Sequence, residues 1–596
     1  MIATYAAALA VGVASLVLGQ AALVLCGVRR WSWLAPAVGL ALVCAISWAT
    51  VRLGENGVFP ALLIPLLTVL AALFLRGRLE GGREALGGGV PVAIGALLAA
   101  SLPFAVEGHF GILGTGFNPD MSQHLLATDR LAEGHGSQLL NQGYPLGPHS
   151  VVVALNEGLG IGLVQGFSGL TIAAAVIAPL TALTAFAGQP KWRRTAAALV
   201  VGLAYLIASY YAQGAFKEVV EALFVLAFVL ALRESARTWR DLPLRFVPAA
   251  LIAIGAVYAY SFPGLIWPAA ILLVWLALER SLPIRPLLLA LLVFLVGALP
   301  ELGRMIDFKQ FETFDPNGPG LGNLFGQISP FTALGIWPSG DFRVAAGDGA
   351  VPAVIYYLGA GFAAVLLVFG VRRAWRSGEH AILAGLVSVA AIYIAARAAG
   401  TPYSAAKALE IAAPVLALTI LQVRSPAGGT VGGTTPEEAL ATAGGGGSPA
   451  VTGPAAVGSV FYVLAAGLCS LLAFANAPVG PTSYSPALTS LRPLLADDST
   501  LVLASDQLLE QEQGHRYIAW ELRGGRVCIE PASAAGGRPP TGVRYFVTTG
   551  SPSVPPFSQL SRLRLAEPYV VWERQGVVVG PSPCPLIAVR QARQGP

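Results

Sequence analysis

HSVVVALNEGLGIGLVQGF, residues 149–167, is the stretch on which the topology turns. It is apolar enough to pass for a membrane span, which needs about 20 such residues. Its Asn156, Glu157 and repeated glycines fit poorly on a helix facing lipid, where unsatisfied polar groups are costly. We read it as a helix lying along the outer interface. Counted as a span, it would invert every later loop and carry the basic KWRR (191–194) to the outside.

The rest of the chain supports that choice. Its 596 residues are 55% hydrophobic and 12% charged, against about 25% charged in soluble domains. The fold class is an all-α polytopic membrane protein, and the first apolar segment reads as a retained helix, not a cleaved leader. Apolar windows fall near 3–26, 32–51, 58–75, 89–106, 168–188, 195–212, 217–232, 245–262, 264–279, 286–300, 351–370, 381–398, 405–422 and 457–475, about fourteen transmembrane helices. Arg and Lys gather in cytoplasmic loops. Every second connection is basic here, from Arg29 and Arg30 through Lys191, Arg193 and Arg194 to Arg372, Arg373 and Arg376. The intervening loops carry Asp120, Lys217 with Glu218, the YAYSFPG turn and the long segment 301–350, with Arg52 and Arg397 as exceptions. Those loops are assigned to the extracytoplasmic side. The net charge of +5 thus speaks of topology, not of a nucleic-acid partner.

Residues 1–87 form N-terminal transmembrane helices and 88–422 a membrane core with large outer loops at 107–167 and 301–350. The Gly-, Thr- and Pro-rich segment 423–456 reads as a disordered cytoplasmic linker, followed by the last span at 457–475. Residues 476–596 alternate short apolar runs with Gly and Pro clusters, the pattern of a small extracytoplasmic α/β or β domain. Cys528 and Cys584 lie in that part and can pair if it meets an oxidising compartment.

Polar residues of interest cluster on the outer side. In NPDMSQHLLATDRLAEG (118–134), Asp120 and His124 fall one helical turn apart, with Asn118 or Asp120 able to cap the start. Asp129 on the same segment reads as part of a solvated face. GYPLGPHS (143–150) turns the chain back to the membrane and adds Tyr144 and His149 as candidate substrate contacts. Lys217 opens a helix next to Glu218, where a cation opposes the helix dipole and so suggests an anionic partner. GTPYSAAKALE (400–410) sets Lys407 and Glu410 inside the start of a span and places Tyr403 beside them. Ionisable groups at that depth are functional by default, and Lys407 is the best phosphate-binding candidate; an ion pair with Glu410 or Glu218 is the structural alternative. In the 301–350 loop, Trp337 offers a flat face for a sugar, while Asp341 and Arg343 offer polar contacts or a local ion pair that plugs the loop. No Walker loop, zinc-ligand spacing or nucleophile elbow is present.

With its acidic first loop, the YPLGPH turn into an apolar helix, and a many-span body ending in an extracytoplasmic domain, the chain resembles the GT-C superfamily of membrane glycosyltransferases over about residues 88–475. The resemblance implies a polyprenyl-phosphate-sugar donor, a glycan, lipid or protein acceptor in the cell envelope, and a plasma-membrane location. It also implies that a first-loop carboxylate is base or metal ligand, a role that falls on Asp120. Three extra spans precede that loop, and the superfamily's adjacent acidic pair is missing. A divalent metal therefore remains an open alternative, and no residue is assigned to it. His124 would orient Asp120 or meet the acceptor, while Lys407, with Lys217 or Arg343, would hold phosphate. The Gly-, Ala- and Arg-rich usage suits a high-GC actinobacterium. A secondary transporter, a lipid-linked-glycan flippase and a non-enzymatic scaffold are the rival classes.

Overall fold

The computed structural model describes residues 1–53, 57–118, 120–132, 138–187, 189–279, 282–309, 320–422, 454–482, 485–505, 509, 514–536, 538–549 and 553–587. The expected linker at 423–456 lies almost wholly outside them, and the last long helix begins within it, at Pro454. Among the described residues, ten helices are long and apolar enough to cross a membrane, or eleven if one bent pair is a single span. They are α1 (Ile2–Leu25), α3 (Val58–Leu75), α4 (Gly82–Glu107), α8 (Leu163–Ala182, prolonged by a short 3-10 turn), α12 (Val247–Leu278), α13 (Ile284–Ala298, prolonged by the short α14, Leu302–Phe308), α15 (Ala353–Arg376), α16 (His380–Ala399), α17 (Pro402–Leu421) and α18 (Pro454–Ala475). The bent pair is α9 (Lys191–Gly202) and α10 (Tyr205–Ala212), which meet at 52° where one continuous span was expected over 195–212. Gly202 sits at the bend because a Cβ there would lie 2.2 Å from the backbone of Pro179. Helix α2 (Ala35–Val51) is shorter, and α11 (Phe216–Arg237) carries charges at both ends.

α12 runs for 32 residues, yet it is not one rod. A straight helix of that length would be about 48 Å long, whereas the rings of Phe246 and Trp275 lie 5.5 Å apart. The chain doubles back at Ser261, whose φ of 60° and ψ of −147° break the helix. Pro263 follows, where the ring denies the backbone a donor, and Gly264 lets the second arm approach Ala256. This is the YAYSFPG turn expected between two antiparallel spans.

The 149–167 stretch divides differently from expectation. α7 (Gly147–Leu159) ends at Gly160, which takes the left-handed conformation, and α8 already starts at Leu163. Thirteen residues make about 20 Å of helix, too short for the roughly 30 Å hydrocarbon core.

The basic connections share one end of the bundle. Arg30 pairs with Glu84, Arg194 lies against Gly88, Leu242 lies against Gly27, and Arg233 and Arg237 both reach Glu379. Beside Glu379, His380 meets Glu279, so both arms of α12 begin and end there. The exception Arg52 sits at the opposite end, held 3.1 Å from Glu301, which also accepts from the Trp48 indole.

The C-terminal domain stands at that opposite end. Strand β1 (Ile112–Leu113) in the first loop pairs with β2 (Val479–Gly480), anchoring the domain directly after α18. Beyond it, β3 (Ser499–Ala504), β4 (Arg526–Pro531), β5 (Tyr545–Thr549), β6 (Leu560–Ala566) and β7 (Tyr569–Arg574) form a mixed sheet ordered β4-β3-β5-β7-β6. One face packs on the short helices through Leu488, Ile518 and Val547, the other on Phe557 and Trp572. Cys528 on β4 and Cys584 are joined by a disulfide. Closing a loop of 56 residues should contribute about 4 kcal/mol by restricting the unfolded chain. Replacing both cysteines with serine should lower the domain's melting temperature, as followed by the fluorescence of Trp572; an unchanged midpoint would contradict that assignment.

Candidate functional site

The site is built where α5 (Asp120–Ala132), α7, α11, the α12 turn and α17 meet. Asn118 accepts a hydrogen bond from the Asp120 amide at 3.1 Å and so caps α5. That leaves the Asp120 carboxylate, half-buried, without a hydrogen-bonded or ion-paired partner among the described residues. Its charge acts on the amines of both Lys217 and Lys407 and on the Tyr403 phenol.

Both lysines are held by neighbours. Lys407 Nζ lies 2.8 Å from Glu218 Oε1 and 4.4 Å from the centre of the Tyr403 ring. Glu218 also accepts from the Tyr260 hydroxyl at 3.1 Å, a contact that the α12 turn makes available. Lys217 donates to the Tyr144 hydroxyl and lies 3.9 Å from that ring's centre. Of the two partners foreseen for Lys407, Glu218 is the one it takes. Glu410 is fully buried and among the described residues both its carboxylate oxygens lack a hydrogen-bond partner, as do those of the equally buried Glu221 one turn below Glu218.

His124 and His149 face each other at 3.1 Å, Nδ1 to Nε2, inside a ring cluster with Phe216 and Tyr144. Full burial pushes the His149 imidazole down to about 3. A group whose folded pKa lies below its unfolded value of 6.5 binds more protons when unfolded. Stability should therefore fall as pH drops from about 6.5 toward 3, by up to about 1.4 kcal/mol per pH unit from this group. Melting curves of His149→Asn should be flatter than those of the native protein across that window, and parallel curves would refute the assignment.

Three candidates from the 301–350 loop serve its packing. Arg343 binds Asp341 through two nitrogens at 2.8 and 2.9 Å, donates to the Phe117 carbonyl at 3.1 Å, and stacks on Phe117 and Phe325. The Asp341–Arg343 pair thus clamps this loop onto the first one, and the guanidinium is already occupied. Trp337 is 2% exposed and wedged against Tyr356 and Tyr357, so it presents no open face to a sugar. Burial of an aromatic near a span is favourable on area alone, and α15 supplies the cover.

No family model matches the chain, and comparison with curated proteins finds no relative. No group of three or more His, Cys, Asp or Glu with metal-holding geometry occurs among the described residues. Asp129, expected on a solvated face, is instead 4% exposed beneath the C-terminal helix Gly514–Glu521. A cavity of about 460 Å³ opens there, lined in part by Arg492, Arg523 and Trp520. Single-sequence patterns do not carry that site, because its two walls are more than three hundred residues apart in the chain.

Proposed function

We propose that the protein is an integral membrane glycosyltransferase of GT-C type, moving a sugar from a polyprenyl-phosphate donor to a cell-envelope glycan, lipid or protein acceptor. The observation that carries this reading is the gathering of Lys407, 2.8 Å from Glu218, and Lys217, against the Tyr144 ring, within electrostatic reach of an Asp120 carboxylate that has no hydrogen-bonded or ion-paired partner among the described residues, at the end of the bundle opposite the basic loops. Because arginine and lysine accumulate on the cytoplasmic side, that end is extracytoplasmic, in the plasma membrane. The Cys528–Cys584 bond is at home there, since disulfides persist in oxidising compartments. We further infer about fourteen crossings, obtained by adding the bent pair, α2, α11 and the second arm of the α12 hairpin to the ten long apolar helices.

The chemistry follows from the charges. An acceptor hydroxyl gives its proton to the Asp120 carboxylate as its oxygen bonds to the sugar's anomeric carbon. The bond from that carbon to the phosphate oxygen breaks, and the electron pair leaves with polyprenyl phosphate. Lys407 stabilises the departing oxyanion. An ammonium has three donors, so the bond to Glu218 leaves others for phosphate. Lys217 and Tyr144 would fix the donor from the α7 side, and Tyr403 would stack beside the headgroup.

A photoreactive polyprenyl-phosphate analogue, presented to the purified protein in phosphatidylcholine nanodiscs, should label peptides from α11 and α17. Native polyprenyl phosphate should compete. Labelling confined to other helices, or unchanged by competitor, would reject the donor site.

A secondary transporter is the second reading, and one observation favours it. Glu221 and Glu410 place carboxylates that have no hydrogen-bond partner among the described residues deep in the bundle, where ionisable groups mark ion or proton pathways. Proton-coupled uptake by proteoliposomes, lost in Glu410→Gln, would select it over the transferase.

A further inference from the structure

We propose that the cavity between α5, the N-terminus of α8 and the C-terminal domain binds an anionic saccharide, a sugar bearing phosphate or carboxylate, with Arg492 and Arg523 holding the oxyanion. This site stands apart from the reaction centre and does not rest on the transferase reading. Asp120 and Asp129 are nine residues apart on α5, about 14 Å along the axis and half a revolution around it. One carboxylate therefore serves the lysine cluster and the other the cavity.

Three sources of positive potential converge on this space. Arg523 lies with its guanidinium 3.6 Å from the centre of the Trp520 ring and donates to the Trp520 carbonyl at 2.7 Å. Arg492 donates to the Glu521 carbonyl at 2.8 Å, with the Glu521 carboxylate at the longer distance of 3.9 Å. Carbonyls and a ring thus orient both forks while consuming few of their donors, of which each guanidinium has five. Burial, and then the like charge of Arg492, holds Arg523 down at about 10 even with Asp129 and Glu521 nearby. An arriving oxyanion would relieve that repulsion. The third source is the N-terminus of α8, whose first residues, Leu163 to Gln165, line the same space. Its dipole favours negative charge there.

The remaining walls suit a sugar more than a bare ion. The cavity, about 460 Å³, falls within the roughly 300–1,000 Å³ typical of small-molecule sites. Asp129, Gln165 and Thr482 supply neutral and acidic partners for hydroxyls. Thr482 stands exposed at the rim.

The full chain in phosphatidylcholine nanodiscs should bind glucose 6-phosphate or glucuronate in isothermal titration, with glucose and inorganic phosphate each at least about tenfold weaker. Loss of a charged hydrogen bond to the oxyanion should make binding by Arg492→Gln and Arg523→Gln about tenfold weaker or worse. Thr482→Trp, which fills the mouth from an exposed position, should block binding with no change in melting temperature, and Asp120→Asn should bind like the native protein. Absence of heat up to about 10 mM of either sugar acid, equal binding of glucose, or unchanged affinity in both arginine variants would overturn the proposal. So would competition by phosphatidylinositol in the nanodisc that abolishes binding, which would assign the cavity to a lipid headgroup. If sugar binding holds while Asp120→Asn retains full transferase activity, this site survives and the proposed reaction centre does not.

Discussion

Asp120→Asn is expected to lower sugar transfer by about 10²- to 10⁴-fold, the range attributable to a positioned general base. The amide keeps the size of the side chain and leaves the cap intact, because Asn118, not Asp120, accepts the first amide of α5. Expression, insertion and melting temperature should therefore match the native protein. Asn cannot take a proton from the acceptor hydroxyl, so the loss should appear in kcat, with little change in the KM for donor. Transfer from a synthetic polyprenyl-phosphate sugar by purified Asp120→Asn at the native rate would remove Asp120 from the mechanism.

The second large effect concerns Lys407. Lys407→Met should cost about 3 kcal/mol of stability, because removing the half-buried lysine leaves the buried Glu218 carboxylate desolvated. Glu218, 6% exposed on its side chain, would keep the Tyr260 hydroxyl, a backbone amide and the adjacent Lys217 but lose its ion-pair partner at 2.8 Å. Lys407→Met combined with Glu218→Gln should recover most of that loss, since no orphaned charge remains. The four proteins form a double-mutant cycle, and thermal unfolding in detergent should give a coupling well above the roughly 0.5 kcal/mol scatter of independent sites. Additive losses would mean that the pair is not coupled. Donor use should remain impaired in the stabilised double variant if Lys407 also holds phosphate, which separates its two roles.

What could be read from the residues alone follows from periodicity and charge. The apolar windows located the long helices, and the alternation of arginine-bearing connections anticipated that Arg30, Arg194, Arg233 and Arg237 would gather at one end. The Ser261–Pro263 turn was legible because a Pro-Gly break inside a long apolar run cannot continue a helix. Lys407 stands out in the sequence as a charge inside an apolar helix, and Glu218 is one of the two carboxylates open to it there. Distances across the fold were not legible. Asp129 looks solvated on an isolated amphipathic helix, and only the C-terminal domain, folding back through the β1–β2 pair, covers it. Trp337 looks like a sugar platform in a polar loop until α15 closes over it. The break between α9 and α10 carries little local signal beyond Gly202, whose reason is the approach of Pro179 in another helix.

The sidedness of the bundle can be measured directly by cysteine labelling in intact cells. The free thiols Cys26, Cys44 and Cys469 are buried, so the background is low. A membrane-impermeant maleimide should label Gly320→Cys, beside the Lys407 end, and should miss Arg240→Cys until the cells are opened. Labelling of Arg240→Cys from outside, with Gly320→Cys protected, would contradict an outward-facing Asp120, Lys217 and Lys407 site and the chemistry assigned to it.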